Sequence, residues 1–237
     1  MFYFLPLMMS YNVILILAAI IPAVILLIVV YKSDRLEKES PKMLLKLLLF
    51  GVIAALIALV SEKIFSLPLV LFENSPTLYN IILYFIVVAG SEECAKYLML
   101  YLGSWRSKDF DCQYDGVVYS VFVSLGFAIW ENISYVLHYG FTTALVRAVT
   151  AIPGHACFGI FMGIFYGIAR KNAALGNKGG KRTCQILAII LPALLHGTYD
   201  FIASSNASDW FFIIFIAAMF IASFILVRKN SRKDNYI

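Results

Sequence analysis

Residues 13–30 read VILILAAIIPAVILLIVV, an uninterrupted apolar run without a charged side chain. A helix needs about 20 such residues to cross the hydrocarbon core of a bilayer, and the surrounding segment at 12–31 has that length. The composition of the whole chain agrees, since 62% of its 237 residues are hydrophobic, 14% are charged and the mean hydropathy is +0.85. Too little polar surface remains for a water-soluble globule. The sequence therefore predicts a polytopic membrane protein.

Six further apolar runs follow the first one. The predicted spans cover residues 12–31, 43–61, 78–102, 114–138, 147–170, 183–203 and 209–227. These runs are too long and too evenly apolar for the strands of a membrane barrel, and backbone polar groups must be paired within lipid, so each is predicted to be a helix. We expect an all-α helical bundle formed by one membrane-embedded domain over 1–237, with a short polar tail at 228–237.

The basic residues predict the orientation of this bundle in the cell membrane. If the N-terminus lies outside, the outer loops contain Lys63 and Arg147, and the inner loops and the tail hold nearly all other lysines and arginines. Cytoplasmic loops carry such an excess, so we expect an N-out, C-in topology. The net charge of +5 then reflects topology and gives no reason to expect binding to nucleic acid. The four cysteines lack the paired spacing of a zinc ribbon.

Ionisable residues inside the predicted spans are the main functional signal. They are Glu92, Glu93 and Lys96 in the third span, Glu131 in the fourth, His155 in the fifth, and His196 and Asp200 in the sixth. A charged group near mid-span costs about 2.5–3.5 kcal/mol if it is unpaired. At about 1.5 Å per residue, all of them lie within about 10 Å of the midpoints of their helices. We therefore predict that they meet around one water-filled pocket, whereas a purely structural role would have them hold helices together in pairs.

Helix geometry restricts which of these groups can face each other. Successive residues point about 100° apart, whereas residues i and i+4 differ by about 40°. Lys96 lies on the side of both Glu92 and Glu93, and we expect it to pair with one glutamate and leave Glu93 free for chemistry. His196 and Asp200 share a face, which suits two ligands of one ion or a carboxylate that orients the imidazole.

Several neighbouring residues are interpreted as structural. The glycine row Gly159, Gly163 and Gly167 in the fifth span predicts close helix packing. Asn132 is expected to form a hydrogen bond with a neighbouring helix. Residues assigned to the outer membrane interface are Glu62, His138 and Arg147.

The order and spacing of these motifs resemble those of the PrsW family of intramembrane proteases, which is distantly related to the CAAX prenyl endopeptidase group. The motifs are Glu92-Glu93-x-x-Lys96, Phe127-x-x-x-Glu131-Asn132, His155 and His196-x-x-x-Asp200. The stretches Tyr31-Lys32-Ser33-Asp34-Arg35 and Tyr114-Asp115-Gly116 are also similar to that family. The resemblance extends from about residue 31 to residue 204.

The resemblance implies an endopeptidase that makes the first, site-1 cut in a single-pass membrane substrate such as an anti-sigma factor. The catalytic residues would be Glu92, Glu93, Glu131, His155 and His196, with Lys96, Asn132 and Asp200 in support. A proton- or cation-coupled transporter is the alternative function, because transporters also place carboxylates within the membrane.

Two mechanisms fit these residues. In the first, His155 and His196 hold a zinc ion together with Glu131 or Asp200, while Glu92 or Glu93 takes a proton from water. In the second, no metal takes part, a glutamate activates water and the histidines stabilise the oxyanion.

Overall fold

The computed structural model describes residues 4–205 and 209–237, with side chains from residue 11 onward. The α-helices in this part of the chain are α1 (Phe4–Ser33), α2 (Pro41–Phe65), α3 (Pro76–Ile81), α4 (Ala89–Ser104), α5 (Asp115–Tyr139), α6 (Phe141–Val149), α7 (Ala151–Ala174), α8 (Lys178–Ser204) and α9 (Asp209–Arg232). A 3₁₀ turn at Leu67–Phe72 and a π-helix at Ile82–Val88 complete the helical elements of the described residues. The described chain contains no β-strand, and the predicted all-α class is confirmed.

Seven helical stretches of the described chain are long and apolar enough to cross a membrane. They are Tyr11–Ser33, Pro41–Phe65, Pro76–Ser104, Asp115–Tyr139, Phe141–Ala174, Lys178–Ser204 and Asp209–Arg232. The seven predicted spans are thereby confirmed, and the protein is a multi-pass membrane protein. Two spans are more complex than single α-helices. The third joins α3, the π-helix and α4, and the fifth joins the short α6 to α7.

Glycines bring α5 and α7 into close contact at the centre of the bundle. A Cβ atom on Gly163 would lie 2.5 Å from the main-chain oxygen of Gly116, so no larger side chain fits without a backbone shift. A Cβ on Gly167 would likewise collide with the main-chain oxygen of Gln113, in the loop before α5. The close packing predicted from the glycine row is therefore confirmed. The close approach of these two helices places Glu131 of α5 beside His155 of α7.

The π-helix brings the beginning of α4 against α8. A Cβ on Gly197 would lie 2.6 Å from Cδ1 of Phe85 and 3.0 Å from its Cα, so this glycine allows the two segments to touch. Gly197 follows His196 directly, and Phe85 lies two turns before the glutamates of α4. This contact sets the separation of α4 and α8 close to the level of the ionisable residues.

Candidate active site

Lys96 of α4 lies at the centre of the ionisable group and is completely buried. Its Nζ is 3.0 Å from Oε2 of Glu92 and 2.7 Å from Oε1 of Glu93. The same ammonium is 3.1 Å from Nδ1 of His155 on α7. A single lysine thus balances two carboxylates and joins α4 to α7.

The prediction that Lys96 leaves Glu93 free is wrong. Both carboxylates reach the ammonium, because the long lysine side chain lies between residues that are three and four positions before it. Glu93 has no exposed surface, and its Oε1 is also 2.9 Å from Nδ1 of His196. Glu92 instead lines the cavity described below. Of the two, Glu92 is the glutamate that a molecule in the cavity can reach.

Glu131 connects His155 to a cation that the sequence interpretation assigned to the membrane interface. Its Oε2 is 2.8 Å from Nε2 of His155 and 2.9 Å from a terminal guanidinium nitrogen of Arg147. Arg147 belongs to α6, which begins after Gly140, where a φ of +83° turns the chain sharply after α5. The turn brings the arginine back over the end of α5. Hydropathy carries no signal for such a reversal, so sequence reasoning missed Arg147 as a site residue.

Asn132 holds Arg147 and α1 together at the same level. Its Oδ1 accepts a hydrogen bond of 2.7 Å from Nε of Arg147, and its Nδ2 donates to the main-chain oxygen of Ala19, 3.3 Å away. The predicted hydrogen bond between Asn132 and a neighbouring helix is therefore confirmed. Arg147 in turn lies over the ring of Tyr135, 3.9 Å from its centroid.

His196 of α8 is held between an aromatic ring and two carboxylates. Its ring stacks on Phe158 with centroids 4.7 Å apart, and its Nε2 is 3.4 Å from Oδ2 of Asp200. The centroids of the His155 and His196 rings are 5.3 Å apart. The structure therefore brings together the two imidazoles that the sequence places on separate helices.

A cavity of about 530 Å³ lies next to these groups. The ionisable residues that line it are Glu62, Glu92, Glu131, Arg147, His155, His196 and Asp200. Glu62, which the sequence interpretation placed at the interface, comes from the last turns of α2, and Ser204 from the end of α8 also contributes to the wall. The cavity therefore extends from the buried cluster toward the end of the bundle at which α2 and α8 finish. Such a space offers water and a peptide chain a route to the buried acids.

The cluster contains suitable donor atoms for a metal ion. Glu92, Glu93, His155 and His196 each offer one ligand atom, and these atoms all lie within 4.8 Å of one another. Imidazole and carboxylate are ligands that zinc accepts. Among the described residues, Oε2 of Glu93 is buried and has no hydrogen-bond partner, so it is available as a ligand. The ammonium of Lys96 lies between three of these residues and provides the positive charge there.

Known proteins resemble this chain over most of its length. Residues 39–227 match the model of the "PrsW family intramembrane metalloprotease" family. A protein of Bacillus subtilis (strain 168) named "Protease PrsW" is 32% identical over 92% of this chain and 95% of its own length. Another "Protease PrsW", from Clostridioides difficile (strain 630), is 34% identical over 94% of this chain and 92% of its own. No solved structure matches the chain significantly.

Proposed function

This chain belongs to the PrsW family of intramembrane proteases and is thus a peptide-bond hydrolase, and we propose that it makes the first cut in a single-pass membrane protein such as an anti-sigma factor. The observation that carries the proposal is the convergence of Glu92, His155 and His196 from three helices on one cavity within the membrane. The cavity extends toward the end of the bundle that the charge distribution predicts to be outside. A substrate helix would be cut near its outer end.

Glu92 is the residue that we assign to water activation. Its carboxylate borders the cavity, and one of its oxygens, Oε2, is held by Lys96 at 3.0 Å. In hydrolysis this carboxylate accepts a proton from water as the water oxygen attacks the peptide carbonyl carbon, and then gives the proton to the leaving amide nitrogen. Glu93, which is buried away from the cavity, positions Lys96 and His196.

Arg147 supplies positive charge at the cavity wall, and the two histidines supply ring nitrogens there for hydrogen bonding. The peptide carbonyl oxygen becomes negatively charged in the tetrahedral intermediate, and fixed donors in a site of low dielectric constant stabilise such a charge. Glu131 orients both His155 and Arg147, since its Oε2 contacts both side chains. Asp200 orients His196 in the same way, since its Oδ2 lies 3.4 Å from Nε2 of that histidine.

The donor set is compatible with the metal that the family description implies. We propose that His155 and His196 hold it together with a second glutamate, for which Glu93 of α4 and Glu131 of α5 are the candidates, since Glu92 is assigned to water activation. When bound, a zinc ion lowers the pKa of water and polarises a carbonyl group. A divalent ion among these donors would compete with the ammonium of Lys96, which now contacts three of them. The transporter alternative has no comparable support, because the relatives are named proteases.

Co-expression with an epitope-tagged single-pass anti-sigma factor tests the proposal. We expect Glu92→Gln to lower cleavage at least about a hundredfold, because the amide cannot accept the proton from water. Glu73→Gln is the matched control, since Glu73 is an exposed glutamate between the 3₁₀ turn and α3. N-terminal sequencing of the product is expected to place the cut near the outer end of the substrate helix. An anti-sigma factor left intact by the unmodified protein, or cleaved at an equal rate by Glu92→Gln, would contradict the proposal.

A second measurement separates the two mechanisms. Elemental analysis of the purified protein is expected to give about one zinc per chain, and His155→Ala and His196→Ala are expected to reduce that content. Full activity in a preparation without metal would instead support catalysis by the glutamate alone.

A further inference from the structure

The end of α9 carries its positive charges on one side and its contacts with the protein on the other. The segment reads Arg228-Lys229-Asn230-Ser231-Arg232-Lys233. The main-chain nitrogen of Lys233 donates to the oxygen of Lys229 at 3.2 Å, so the helical path continues to this last lysine. Residues i, i+1, i+4 and i+5 share one side of a helix. The two basic pairs therefore lie together, and the two uncharged residues between them face the opposite side.

Hydrogen bonds hold that opposite side against the rest of the bundle. The hydroxyl of Ser231 donates to the main-chain oxygen of Ser33, at the end of α1. Beyond the helix, the main-chain nitrogen of Ile237 donates to the oxygen of Asp111 at 2.7 Å, in the loop before α5. The tail is thus folded back onto the protein, and the end of α9 cannot turn its cations inward.

A groove of about 370 Å³ lies on the basic side of the helix. Its lining consists of Phe224, Ile225, Arg228, Lys229, Arg232 and Lys233. The four basic side chains are exposed, and the two apolar ones are 67% and 56% exposed. No carboxylate contributes to this lining. The groove therefore combines a strongly positive part with an apolar part.

The four cations of the groove have no counter-charge within the described chain. None of them forms an ion pair there. The acid that follows them in sequence, Asp234, is directed inward, since its Oδ1 accepts a hydrogen bond of 2.9 Å from the main-chain nitrogen of Tyr114. Like charges on neighbouring turns of a helix repel one another. A ligand with negative charge would relieve that repulsion.

The order of the two parts along α9 matches the order of groups in a phospholipid. The helical stretch Asp209–Arg232 is long and apolar enough to cross a membrane, so the basic pairs lie at the end of a span, where lipid headgroups lie. Phe224 and Ile225 precede the first basic pair by four residues, which is about 6 Å along the helix axis toward the centre of the span. A soluble acidic partner would have no use for apolar side chains at that depth.

We propose that this face of α9 binds one anionic phospholipid, whose phosphate contacts the two basic pairs and whose acyl chain lies along Phe224 and Ile225. Guanidinium groups such as those of Arg228 and Arg232 form paired hydrogen bonds with phosphate oxygens. Basic clusters next to the cytoplasmic end of a span attract anionic lipids, and the charge distribution predicts that this end faces the cytoplasm. The inference does not depend on protease activity.

Native mass spectrometry of the full chain, stripped of lipid in a non-ionic detergent, tests the site. Phosphatidylglycerol is expected to bind at least about tenfold more tightly than phosphatidylcholine with identical acyl chains, because only the first carries a net negative charge. The preference is expected to shrink as ammonium acetate is raised from about 0.1 to about 1 M. Inorganic phosphate at about 10 mM is expected to leave the lipid bound, since it cannot use the apolar part. Displacement by phosphate would identify the ligand as a soluble anion and contradict the proposal.

Variants locate the binding on α9. Arg228→Gln and Arg232→Gln are each expected to weaken binding of phosphatidylglycerol about fivefold, and the double variant about 25-fold, with little effect on phosphatidylcholine. Lys178→Gln is the matched control, because Lys178 is an exposed lysine at the same end of the bundle and does not line the groove. It is expected to change binding less than about twofold.

Three results would overturn the inference. The first is equal binding of the two lipids by the unmodified chain, a measurement that needs no variant to fold. The second is a preference for phosphatidylglycerol that the double variant retains in full. The third is a loss in Lys178→Gln as large as that in Arg228→Gln, which would mean that the lipid responds only to the net charge of this end of the bundle.

Discussion

Lys96 is the residue on which most of the site's charge balance depends. It contacts two glutamates and a histidine in the interior of the bundle. Lys96→Met keeps much of the side-chain volume but leaves two buried carboxylates without a counter-charge. We expect the free energy of unfolding to fall by about 3–5 kcal/mol, since that is the usual cost of removing one partner of a buried ion pair. Denaturant unfolding in detergent micelles measures this.

Two further variants make the Lys96 prediction specific. Lys63→Met is the control, because Lys63 is exposed in the last turn of α2 and forms no ion pair with a described residue. Adding Glu93→Gln to Lys96→Met is expected to recover part of the lost stability, since one of the uncompensated charges disappears. A Lys96→Met protein as stable as the unmodified chain would contradict the expectation.

Most residues of the candidate site could be predicted from the sequence, but the contacts between their side chains could not. Charged residues stand out within apolar runs, so Glu92, His155 and His196 are visible without a structure. Which oxygen meets which nitrogen depends on side-chain torsions and on neighbouring helices. Lys96 therefore binds both glutamates where one was expected, and Arg147 joins the site through a reversal of the chain at Gly140.

At the scale of helices, the closeness of α5 and α7 controls the Glu131–His155 contact. Gly163→Val places methyl groups against the main chain of Gly116, which cannot move aside as a flexible side chain would. We expect a loss of about 1–3 kcal/mol in the free energy of unfolding from this overpacking. Cleavage of the tagged anti-sigma factor is expected to fall as well, because the two helices must separate.

Gly154→Ala is the matched control for the Gly163 variant. It lies on the same helix, and its new methyl group would have its nearest neighbour, Cε2 of Tyr199, at 3.7 Å, which is ordinary van der Waals contact. Its stability is expected to be unchanged or slightly higher, since alanine favours a helix more than glycine does. Equal unfolding midpoints for Gly163→Val and Gly154→Ala would argue against the packing account.

Hydropathy located the spans but not the changes of helix type within them. The run at 78–102 is equally apolar whether its backbone is α or π, so the sequence predicts one continuous helix. The structure has a π-helix at Ile82–Val88, held against α8 where Gly197 permits close approach. Such a segment depends on a contact between elements distant in sequence, and its periodicity alone does not reveal it.

Across the whole molecule, the charge distribution predicts that the cavity opens to the outside of the cell. Glu73→Cys and Lys178→Cys place exposed thiols at opposite ends of the bundle. We expect a membrane-impermeant maleimide to label Glu73→Cys in intact cells and Lys178→Cys only after permeabilisation, because the basic end stays in the cytoplasm. The unmodified chain, with its four free cysteines, gives the background. The reverse labelling pattern would mean that the topology is inverted.

The buried carboxylates of Asp34 and Glu39, in the linker between α1 and α2, make the stability of the whole bundle depend on pH. The pKa of Asp34 is raised from 3.8 to about 6 and that of Glu39 from 4.5 to about 7, chiefly by burial. Folding therefore favours the protonated acids, and this stabilisation is complete at low pH and is lost as the pH rises through about 6 to 7. The charge of Lys38 opposes the rise in the pKa of Asp34, whereas the charge of Asp234 adds to it; the charge of Asp109 adds to the rise in the pKa of Glu39.

We accordingly expect the unfolding temperature to rise when the pH is lowered from about 8 to about 5.5. Asp34→Asn cannot lose a proton at that position, so its unfolding temperature is expected to change less over the same range. Glu37→Gln, on the exposed side of the linker, is expected to keep most of the dependence, since the charge of Glu37 is the smallest contribution to the raised pKa of Asp34. Because the charge of Asp34 also raises the pKa of Glu39, the difference between the unmodified chain and Asp34→Asn measures the titration of Asp34 together with its effect on Glu39. Parallel curves for the unmodified chain and Asp34→Asn would mean that this carboxylate is not titrating near neutral pH.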